Sequence, residues 1–388
     1  MTPTPDPHPV RPFLEDRHQP LAQEAAAYAS RELRPRPESR DDEAARKEAK
    51  ALLADLGRAG YFRPIREQDW RACCLVREAL ASASPLADAV FALQGLGTLP
   101  ILLSGNEAMR ERWVEAAIAG RAMAAFAMTE AGAGSDVAAM KMTARRDGDA
   151  YGLSGAKTFI SNAGIADFYT VFASTDPGAG GKGISCFVVP ADTKGLRFTR
   201  PQILSAPHPL GEIEFQDCRV PSANRLGEEG KGMALGLRTL DRMRATVGAA
   251  ACGMAARALE EAFSHARSRK QFGTPLAEFQ LIQEKLARMA TDLWAARLLV
   301  YRAAWAADRG QERVTLEAAM AKSYATEAAQ RVVDDAVQIL GGAGVLATHP
   351  VDRLYRSVRA LRIYEGTTEI QHLVIAGQLM KDGAGAPA

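Results

Sequence analysis

The order of segments that differ in composition and in residue spacing is the feature that most constrains the fold of this chain. Residues 14–122 are rich in Ala, Leu, Glu and Arg with helical spacing, and residues 123–232 consist of short β-prone runs between Gly, Pro, Asp and Asn. Helical spacing returns over residues 233–388. A doubly wound nucleotide-binding fold would alternate strands and helices throughout. The order therefore argues against a Rossmann sheet and predicts a mainly α protein with a central β-domain.

Apolar periodicity supports the two helical segments. Leu52, Leu53, Leu56 and Ala59 form one stripe, which Gly60 ends. A longer stripe with steps of four and three comprises Ile282, Leu286, Met289, Leu293, Ala296 and Val300. Long amphipathic helices with short connections predict a helical bundle at the C-terminal end.

The middle segment contains evenly spaced β-prone runs, which predict a small antiparallel sheet or barrel. The runs are 157–160, 168–172, 184–189, 197–200 and 211–215. Residues 178–183 formally match the GxGxxG pattern of dinucleotide loops, but a strand-like run follows them where a helix would be needed. We interpret this segment as a hairpin turn.

Composition restricts the class of ligand. The 388 residues carry a net charge of only +2, which provides no general attraction to nucleic acid or to an anionic membrane. No apolar run approaches the roughly 20 residues that cross a bilayer. Residues 1–13 are Pro-rich without an apolar region and are expected to be a flexible tail, neither a secretory signal nor an anchor. A small-molecule partner is expected.

Cysteine and histidine usage also excludes several chemistries. Five cysteines without CxxC spacing argue against a disulfide framework and favour a reducing compartment, expected to be the cytoplasm. The six histidines are widely spread, so no metal site is predicted. The chain has no GxSxG serine and no local signature of a cysteine nucleophile.

Two segments nevertheless indicate a site. In residues 125–136, small residues allow close approach of backbone amides to a ligand, and Thr129 and Ser135 add hydroxyl groups. The alternative is a Gly-rich turn in which Ser135 or Asp136 caps a short helix.

The second segment is Ile363–Gln371, where Glu365 precedes Gly366 and an apolar helix. Thr368 with Gln371 would make a capping box, which explains half of the motif but not Glu365. A carboxylate between Tyr364 and Gly366 beside apolar walls would have a raised pKa and could act as a base. The alternative is a solvated loop glutamate.

Six ordered motifs resemble those of the acyl-CoA dehydrogenases, flavoenzymes that oxidise the Cα–Cβ bond of acyl thioesters. The resemblance covers residues 14–381 and rests on MTEAGAGSD (128–136), GAKTFISN (155–162), LDRMR (240–244), RKQFG (269–273), QILGGAG (338–344) and YEGTTEIQ (364–371). It implies an N-terminal helical domain, a middle β-barrel-like domain and a C-terminal four-helix bundle, bounded at 14–122, 123–232 and 233–388.

The resemblance also implies a site for FAD. Residues expected along the flavin are Phe126, Met128, Thr129, Gly134, Ser135, Phe159, Ile160 and Ser161. Those expected at the nucleotide half, bound mainly by a neighbouring subunit, are Arg269, Gln271, Phe272, Gln280, Gln338, Gly341, Gly342, Thr367 and Glu369. Substrate contacts are expected from Ser135, Asp241, Arg244 and Gly366.

Glu365 matches the family's catalytic base, which implies α-proton transfer to Glu365 and β-hydride transfer to flavin N5. In the isovaleryl and long-chain branches the base instead sits where this chain has Met243, which cannot take a proton. The chain therefore resembles the short- and medium-chain type. Ala131 and Phe159 replace the usual Pro and Trp.

The segment 202–210 departs further, because Ala206 and His208 stand where the family pattern has Arg and Ser. The expected polar contacts of that loop are therefore missing, and an unusual acyl group is a possible substrate.

Three functions are considered. The first is dehydrogenation of an acyl-CoA by a homotetramer or dimer, with an electron-transfer flavoprotein as acceptor. The second is an acyl-CoA oxidase or flavin monooxygenase on the same fold. The third is a non-catalytic helical interaction protein, which would contain no flavin.

Overall fold

The computed structural model describes residues 4–311 and 313–381. The chain divides into two compact units, which we call the helical unit and the sheet unit. The helical unit comprises Met1–Pro37, Asp69–Asp88 and Arg244–Ala388. The sheet unit comprises Glu38–Gln68 and Ala89–Met243.

The α-helices precede and follow the sheet in the chain, as the order of helical and β-prone segments predicts. They are α1 (His18–Tyr28), α2 (Asp42–Arg58), α3 (Arg63–Glu67), α4 (Trp70–Ala83), α5 (Pro85–Ser104), α6 (Glu107–Met109), α7 (Glu115–Ile118), α8 (Gly232–Ser268), α9 (Gln280–Asp308), α10 (Thr315–Leu340), α11 (Pro350–Leu361) and α12 (Thr368–Lys381). The stripes of apolar residues lie on α2 and α9, and the α9 stripe is buried from Met289 onward.

In the helical unit, α4 is fixed by a buried polar cluster. Glu78, on α4, accepts hydrogen bonds from Arg297 Nε at 2.7 Å and from the Tyr301 hydroxyl at 3.0 Å, both on α9. Helix α8 approaches α4 closely, since a Cβ on Gly253 would lie 2.2 Å from the Glu78 carbonyl oxygen. This packing holds Arg77, the neighbour of Glu78, inside the unit.

In the sheet unit, eight strands form one mixed sheet with the order β6-β7-β3-β2-β4-β5-β8, and β1 pairs with β4. The strands are β1 (Ala124–Ala127), β2 (Thr143–Asp147), β3 (Ala150–Ser161), β4 (Phe168–Ser174), β5 (Ile184–Pro190), β6 (Leu196–Pro201), β7 (Leu210–Pro221) and β8 (Arg225–Leu226). All five predicted runs are confirmed as strands.

The expectation of a small antiparallel sheet or barrel is wrong at two places, because β1 and β2 both pair with β4 in parallel. Their connections to β4 run through other elements and are long enough for parallel pairing, which a two-residue turn would not allow. The GxGxxG segment joins β4 to β5 through a 3₁₀ turn at Pro177–Gly183, and these strands pair antiparallel. The interpretation as a hairpin connection is confirmed.

The stretch expected to be a flexible tail contains ordered structure in its described part. His8–Phe13 form a 3₁₀ helix, and Val10 is fully buried. Arg71 Nη1 donates to the carbonyl oxygen of Phe13 at 3.0 Å. The apolar side chain of Val10, which lies between the prolines, is thus buried in the helical unit.

Helix α5 differs from the expectation about apolar runs. Its 20 residues are long and apolar enough to cross a membrane by length and composition, so the statement that no run approaches this length is wrong. Within the protein, 78% of its most apolar window is buried, which is typical of a core helix.

Candidate active site

Glu365 lies in the loop between α11 and α12 of the helical unit, which we call the base loop (residues 362–367). Its φ is 55° and that of Gly366 is 94°, so two consecutive residues adopt the left-handed conformation. A non-glycine residue in this region is strained, and such strain is concentrated at functional sites.

Three side chains restrain the carbonyl groups of the base loop. The Gly366 carbonyl oxygen accepts from Lys322 Nζ at 2.7 Å and from Gln371 Nε2 at 3.1 Å. The Glu365 carbonyl oxygen accepts from Gln371 Nε2 at 3.2 Å and from Arg244 Nε at 3.3 Å. Gln371 also explains Gly366, because a Cβ there would lie 2.4 Å from Gln371 Nε2.

The Glu365 carboxyl group combines a buried oxygen atom with nearby positive charges. Its Oε2 atom is buried and has no hydrogen-bond partner among the described residues. Burial raises the pKa of Glu365, whereas the positive charges of Arg77, Arg244 and Lys322 oppose this rise. The raised pKa agrees with the sequence-based expectation, but the cationic surroundings differ from the expected apolar walls.

Sequence reasoning missed two of these cations. Arg77 is fully buried on α4 and donates to both oxygens of Asp88, at 2.7 and 2.9 Å, and to the Thr246 hydroxyl. Lys322 is fully buried on α10, and burial lowers its pKa to about 8. Neither residue lies in a motif near Glu365, so only the packing of α4 and α10 reveals them.

The capping box predicted for α12 is wrong in its residues. The helix begins one position earlier than the box requires, and the Thr367 hydroxyl accepts from the Ile370 N–H at 3.3 Å. The Thr368 hydroxyl instead donates to Glu327, and Gln371 donates to the base loop. The motif therefore serves the loop that carries Glu365 as well as the helix.

In the sheet unit, the segment 126–136, which we call the Thr129 segment, is anchored to strand β3. The Thr158 N–H donates to the Thr129 carbonyl oxygen at 3.0 Å. The buried Lys157 Nζ donates to the Met128 carbonyl oxygen at 3.0 Å and to Glu130 Oε1 at 2.8 Å. Asp136 precedes a short 3₁₀ turn without a side-chain cap, so the capping alternative for this segment lacks support.

The end of β3 combines an exposed aromatic ring with a strained backbone. Phe159 is 61% exposed and has a φ of 54°, whereas Ile160 belongs to the hydrophobic core. A ligand could therefore meet the ring of Phe159 but only the backbone of Ile160. The Ser161 hydroxyl forms a hydrogen bond with His208 Nε2 at 2.8 Å.

The other predicted residues are distributed over both units. Phe126, Met128, Gly134, Ser135 and Asp241 lie in the sheet unit. Arg269, Gln271 and Phe272 lie on or beside a small hairpin, Lys270–Gln271 with Thr274–Pro275, in the helical unit. Gln280 begins α9, and Gln338, Gly341 and Gly342 lie at the end of α10. Among the substrate residues, the structure brings Arg244 to the base loop.

Met243 is fully buried beside Gly95 in the sheet unit, where a Cβ on Gly95 would lie 2.5 Å from the Met243 methyl group. It fills a packed position and offers no group that could accept a proton.

Three family matches cover the chain from its first helices to its last. The N-terminal domain of acyl-CoA dehydrogenases matches residues 15–121, the middle domain 125–218 and the C-terminal domain 230–380. The chain belongs to the acyl-CoA dehydrogenase family. It is therefore an oxidoreductase that acts on CH–CH groups, with FAD as cofactor.

Similar proteins agree with this assignment. A 3-(aryl)acrylate reductase of Clostridium sporogenes is 39% identical over 95% of this chain and 100% of its own length. A subunit of the caffeyl-CoA reductase–Etf complex of Acetobacterium woodii is 43% identical over 73% and 75% of the two chains. The butyryl-CoA dehydrogenase structure from Megasphaera elsdenii has a TM-score of 0.88 and 35% identity, covering 95% and 99%. The predicted three-domain fold is thereby confirmed.

The residues of the sheet unit fit a flavin. Side chains at Gly132 and Gly134 would meet nothing within 4 Å, which leaves room for a ligand beside the Thr129 segment. Phe159, whose ring is exposed, is the next residue after Thr158, and the Thr158 N–H donates a hydrogen bond to the Thr129 segment.

Proposed function

We propose that Glu365 is the base that removes the α-proton of an acyl-CoA thioester in this dehydrogenase. The observation that carries this assignment is the buried Glu365 Oε2 without a partner among the described residues, on a strained and restrained loop. A buried carboxylate whose hydrogen-bonding capacity is unused is destabilised until a ligand or proton arrives. The α-proton of the substrate would meet that need.

Lys322, Gln371 and Arg244 hold the base loop through its carbonyl groups, which leaves the Glu365 side chain to act on the substrate. The positive charges of Lys322 and Arg244, with that of Arg77, limit the rise of the Glu365 pKa. The β-hydrogen would leave as a hydride, for which bound FAD would supply the acceptor. The ionised form of Glu365 is the active one, so the rate should increase as pH rises through its raised pKa.

The FAD residues named from the resemblance remain our proposal for the cofactor site. The flavin would lie along Phe126, Met128, Thr129, Gly134 and Ser135 and against Phe159, Ile160 and Ser161. The nucleotide of FAD bound by another subunit would contact Arg269, Gln271, Phe272, Gln280, Gln338, Gly341, Gly342, Thr367 and Glu369. The substrate would contact Ser135, Asp241, Arg244 and Gly366. The domain boundaries 14–122, 123–232 and 233–388 are likewise proposed.

The proposed oligomer is a homotetramer or dimer. Large apolar side chains of the helical unit are strongly exposed, including Phe272 (95%), Leu281 (79%), Leu373 (68%) and Met380 (83%). We interpret these side chains as candidates for an interface between chains. Light scattering after gel filtration should give a mass of two or four chains, and a single-chain mass would contradict the proposal.

We also propose an acyl-CoA substrate, an electron-transfer flavoprotein as acceptor and a cytoplasmic location. The acceptor is suggested by the Acetobacterium woodii relative, whose name includes an Etf complex. The relatives differ in their named substrates, from butyryl-CoA to caffeyl-CoA and arylacrylate. Both aliphatic and aryl-substituted acyl groups therefore need to be tested.

The test is anaerobic flavin reduction with a panel of saturated aliphatic and arylpropionyl-CoA thioesters. We expect the flavin absorption band in the visible range to bleach with at least one of them. A panel that leaves a flavin-loaded protein unbleached would contradict the proposal. Stoichiometric hydrogen peroxide in aerobic turnover would instead support the oxidase alternative.

A further inference from the structure

The segment 202–210, which we call the wall loop, departs from the family pattern but contacts the end of β3. We propose that Gln202 and His208 are positioning residues that hold Phe159 and Ser161 against the flavin. This inference rests on the proposed function, which assigns Phe159 and Ser161 to the cofactor site. It identifies a replacement for the polar contacts that the departures at Ala206 and His208 remove.

The backbone of β3 requires such support. The register of β3 against β7 shifts between Lys157 and Ile160, so Phe159 lies outside the regular ladder. A residue in such a bulge loses its strand partner, and its side chain is re-aimed. The Phe159 N–H instead donates to Gln202 Oε1 at 2.8 Å, while its φ stays at 54°. Gln202 therefore accepts a hydrogen bond from the Phe159 N–H, which has no partner in the irregular part of the β3–β7 ladder.

Gln202 also connects two segments of the proposed flavin site. Its Nε2 donates to the Thr158 hydroxyl at 2.9 Å, and the Thr158 N–H donates to the Thr129 carbonyl oxygen. The Gln202 N–H donates to the Leu210 carbonyl oxygen at 3.0 Å, which ties the two ends of the wall loop together. One amide side chain thus bridges the wall loop and the strand next to the Thr129 segment.

His208 holds the next position of the strand. Its Nε2 lies 2.8 Å from the Ser161 hydroxyl, and the adjacent Pro209 carbonyl oxygen accepts from the Asn162 N–H at 2.8 Å. Burial and the nearby Arg46 lower the His208 pKa to about 4, against the weaker opposing effect of Asp42. The imidazole is therefore neutral at neutral pH, and its contact with Ser161 is a neutral hydrogen bond.

The experiment measures FAD release from the holoenzyme after dilution, followed by the increase in flavin fluorescence. The variants are Gln202→Ala, His208→Ala and the nearly isosteric Thr158→Val. Each lost hydrogen bond is expected to speed release about threefold to tenfold and to change the flavin absorption band. Gln216→Ala is the matched control, because that exposed side chain donates to Glu214 Oε1, away from the wall loop.

The double variant Gln202→Ala/Thr158→Val separates positioning from general loosening. If both residues act through their shared hydrogen bond, the double variant should release FAD little faster than Gln202→Ala alone. Thr158→Val keeps the test valid should Gln202→Ala fail to fold. His208→Phe, which keeps an aromatic ring without the Nε2 atom that contacts Ser161, does the same for His208→Ala. Thermal unfolding is measured in parallel.

Unchanged FAD release and an unchanged flavin spectrum in all folded variants would overturn the inference. The same holds if the variants only melt at a lower temperature while FAD release and spectrum stay as in the wild type. A wild-type protein that binds no FAD would instead overturn the proposed function, so the two failures are distinguishable.

Discussion

Glu365 and Phe159 both hold a non-glycine backbone in the left-handed region, with φ values of 55° and 54°. Around Glu365, the carbonyl oxygens accept from two cationic side chains and one amide, and the carboxyl Oε2 stays without a partner among the described residues. At Phe159, a neutral amide accepts from the backbone N–H, and the aromatic ring stays exposed. In both places the backbone is restrained and the side chain is left available.

The difference lies in charge. Arg244 and Lys322 both hold the base loop and oppose the burial-driven rise of the Glu365 pKa, so each contact affects geometry and protonation together. Gln202 and the neutral His208 can only position the strand. Variants of the base loop should therefore alter the pH profile of catalysis, whereas variants of the wall loop should alter FAD binding.

The largest effect is expected for Glu365→Gln, which keeps the shape of the side chain but removes the proton acceptor. Flavin reduction should slow by about a thousandfold, in line with general-base contributions. Anaerobic stopped-flow absorption measures this rate in a protein that retains FAD. Glu284→Gln, an exposed residue paired with Arg288, is the control. If Glu365→Gln reduced its flavin at the wild-type rate, Glu365 would not be the base and the role given to the base loop would be wrong.

Lys157→Met should cause the largest loss of stability near the Thr129 segment. It breaks a buried ion pair with Glu130, whose carboxylate also accepts from the N–H groups of Lys141 and Met142. Removing one partner of a buried pair costs about 3–5 kcal/mol. Urea unfolding measures the loss, and the exposed Lys141→Met should unfold like wild type. Equal stability of the two variants would contradict this account.

Lys322→Met should affect both the rate and its pH dependence. It removes a charged hydrogen bond to Gly366, worth about 1.5–3 kcal/mol, which corresponds to a rate loss of about tenfold to a hundredfold. Loss of the cation also raises the Glu365 pKa further. The acid limb of the pH–rate profile, in which the rate rises as Glu365 ionises, should therefore move to higher pH. The pH profile of anaerobic flavin reduction checks both effects.

The matched control is Lys285→Met, which removes a lysine on α9 that is paired with Asp335. It should keep the wild-type acid limb. An acid limb that is unchanged in Lys322→Met would show that the cation does not act on Glu365.

The smallest effect is expected for Gly366→Ala. The added Cβ would lie 2.4 Å from Gln371 Nε2 at a φ of 94°, which should cost about 1–3 kcal/mol of stability. Gly377→Ala is the control, since a Cβ there meets nothing within 4 Å and the residue lies inside α12. Thermal unfolding compares the two, and a neutral Gly366→Ala would contradict the proposed restraint by Gln371.

Much of the fold could be predicted from local patterns. The β-prone run at 184–189 and the stripe from Ile282 to Val300 each record burial within one element, and both elements are present. The parallel pairing of β1 and β2 with β4 could not be predicted, because it depends on long connections rather than on turn residues.

The site divides in the same way. Glu365 and Gly366 are visible in one short motif, but Arg77 and Lys322 reach the base loop from distant helices. Gln202 and His208 lie in a segment whose sequence departs from the family pattern, so only the three-dimensional structure reveals their contacts. Long-range contacts of this kind leave no periodic signal in the sequence.

The most direct test of Glu365 as the base is exchange of the α-hydrogens of a bound 3-thiaacyl-CoA with solvent deuterium. The sulfur at the β position leaves no hydride to transfer, so the experiment isolates the proton step. Mass spectrometry should show deuterium at the α-carbon with the wild-type holoenzyme and no more than background with FAD-loaded Glu365→Gln. Equal exchange by the two proteins would contradict the account.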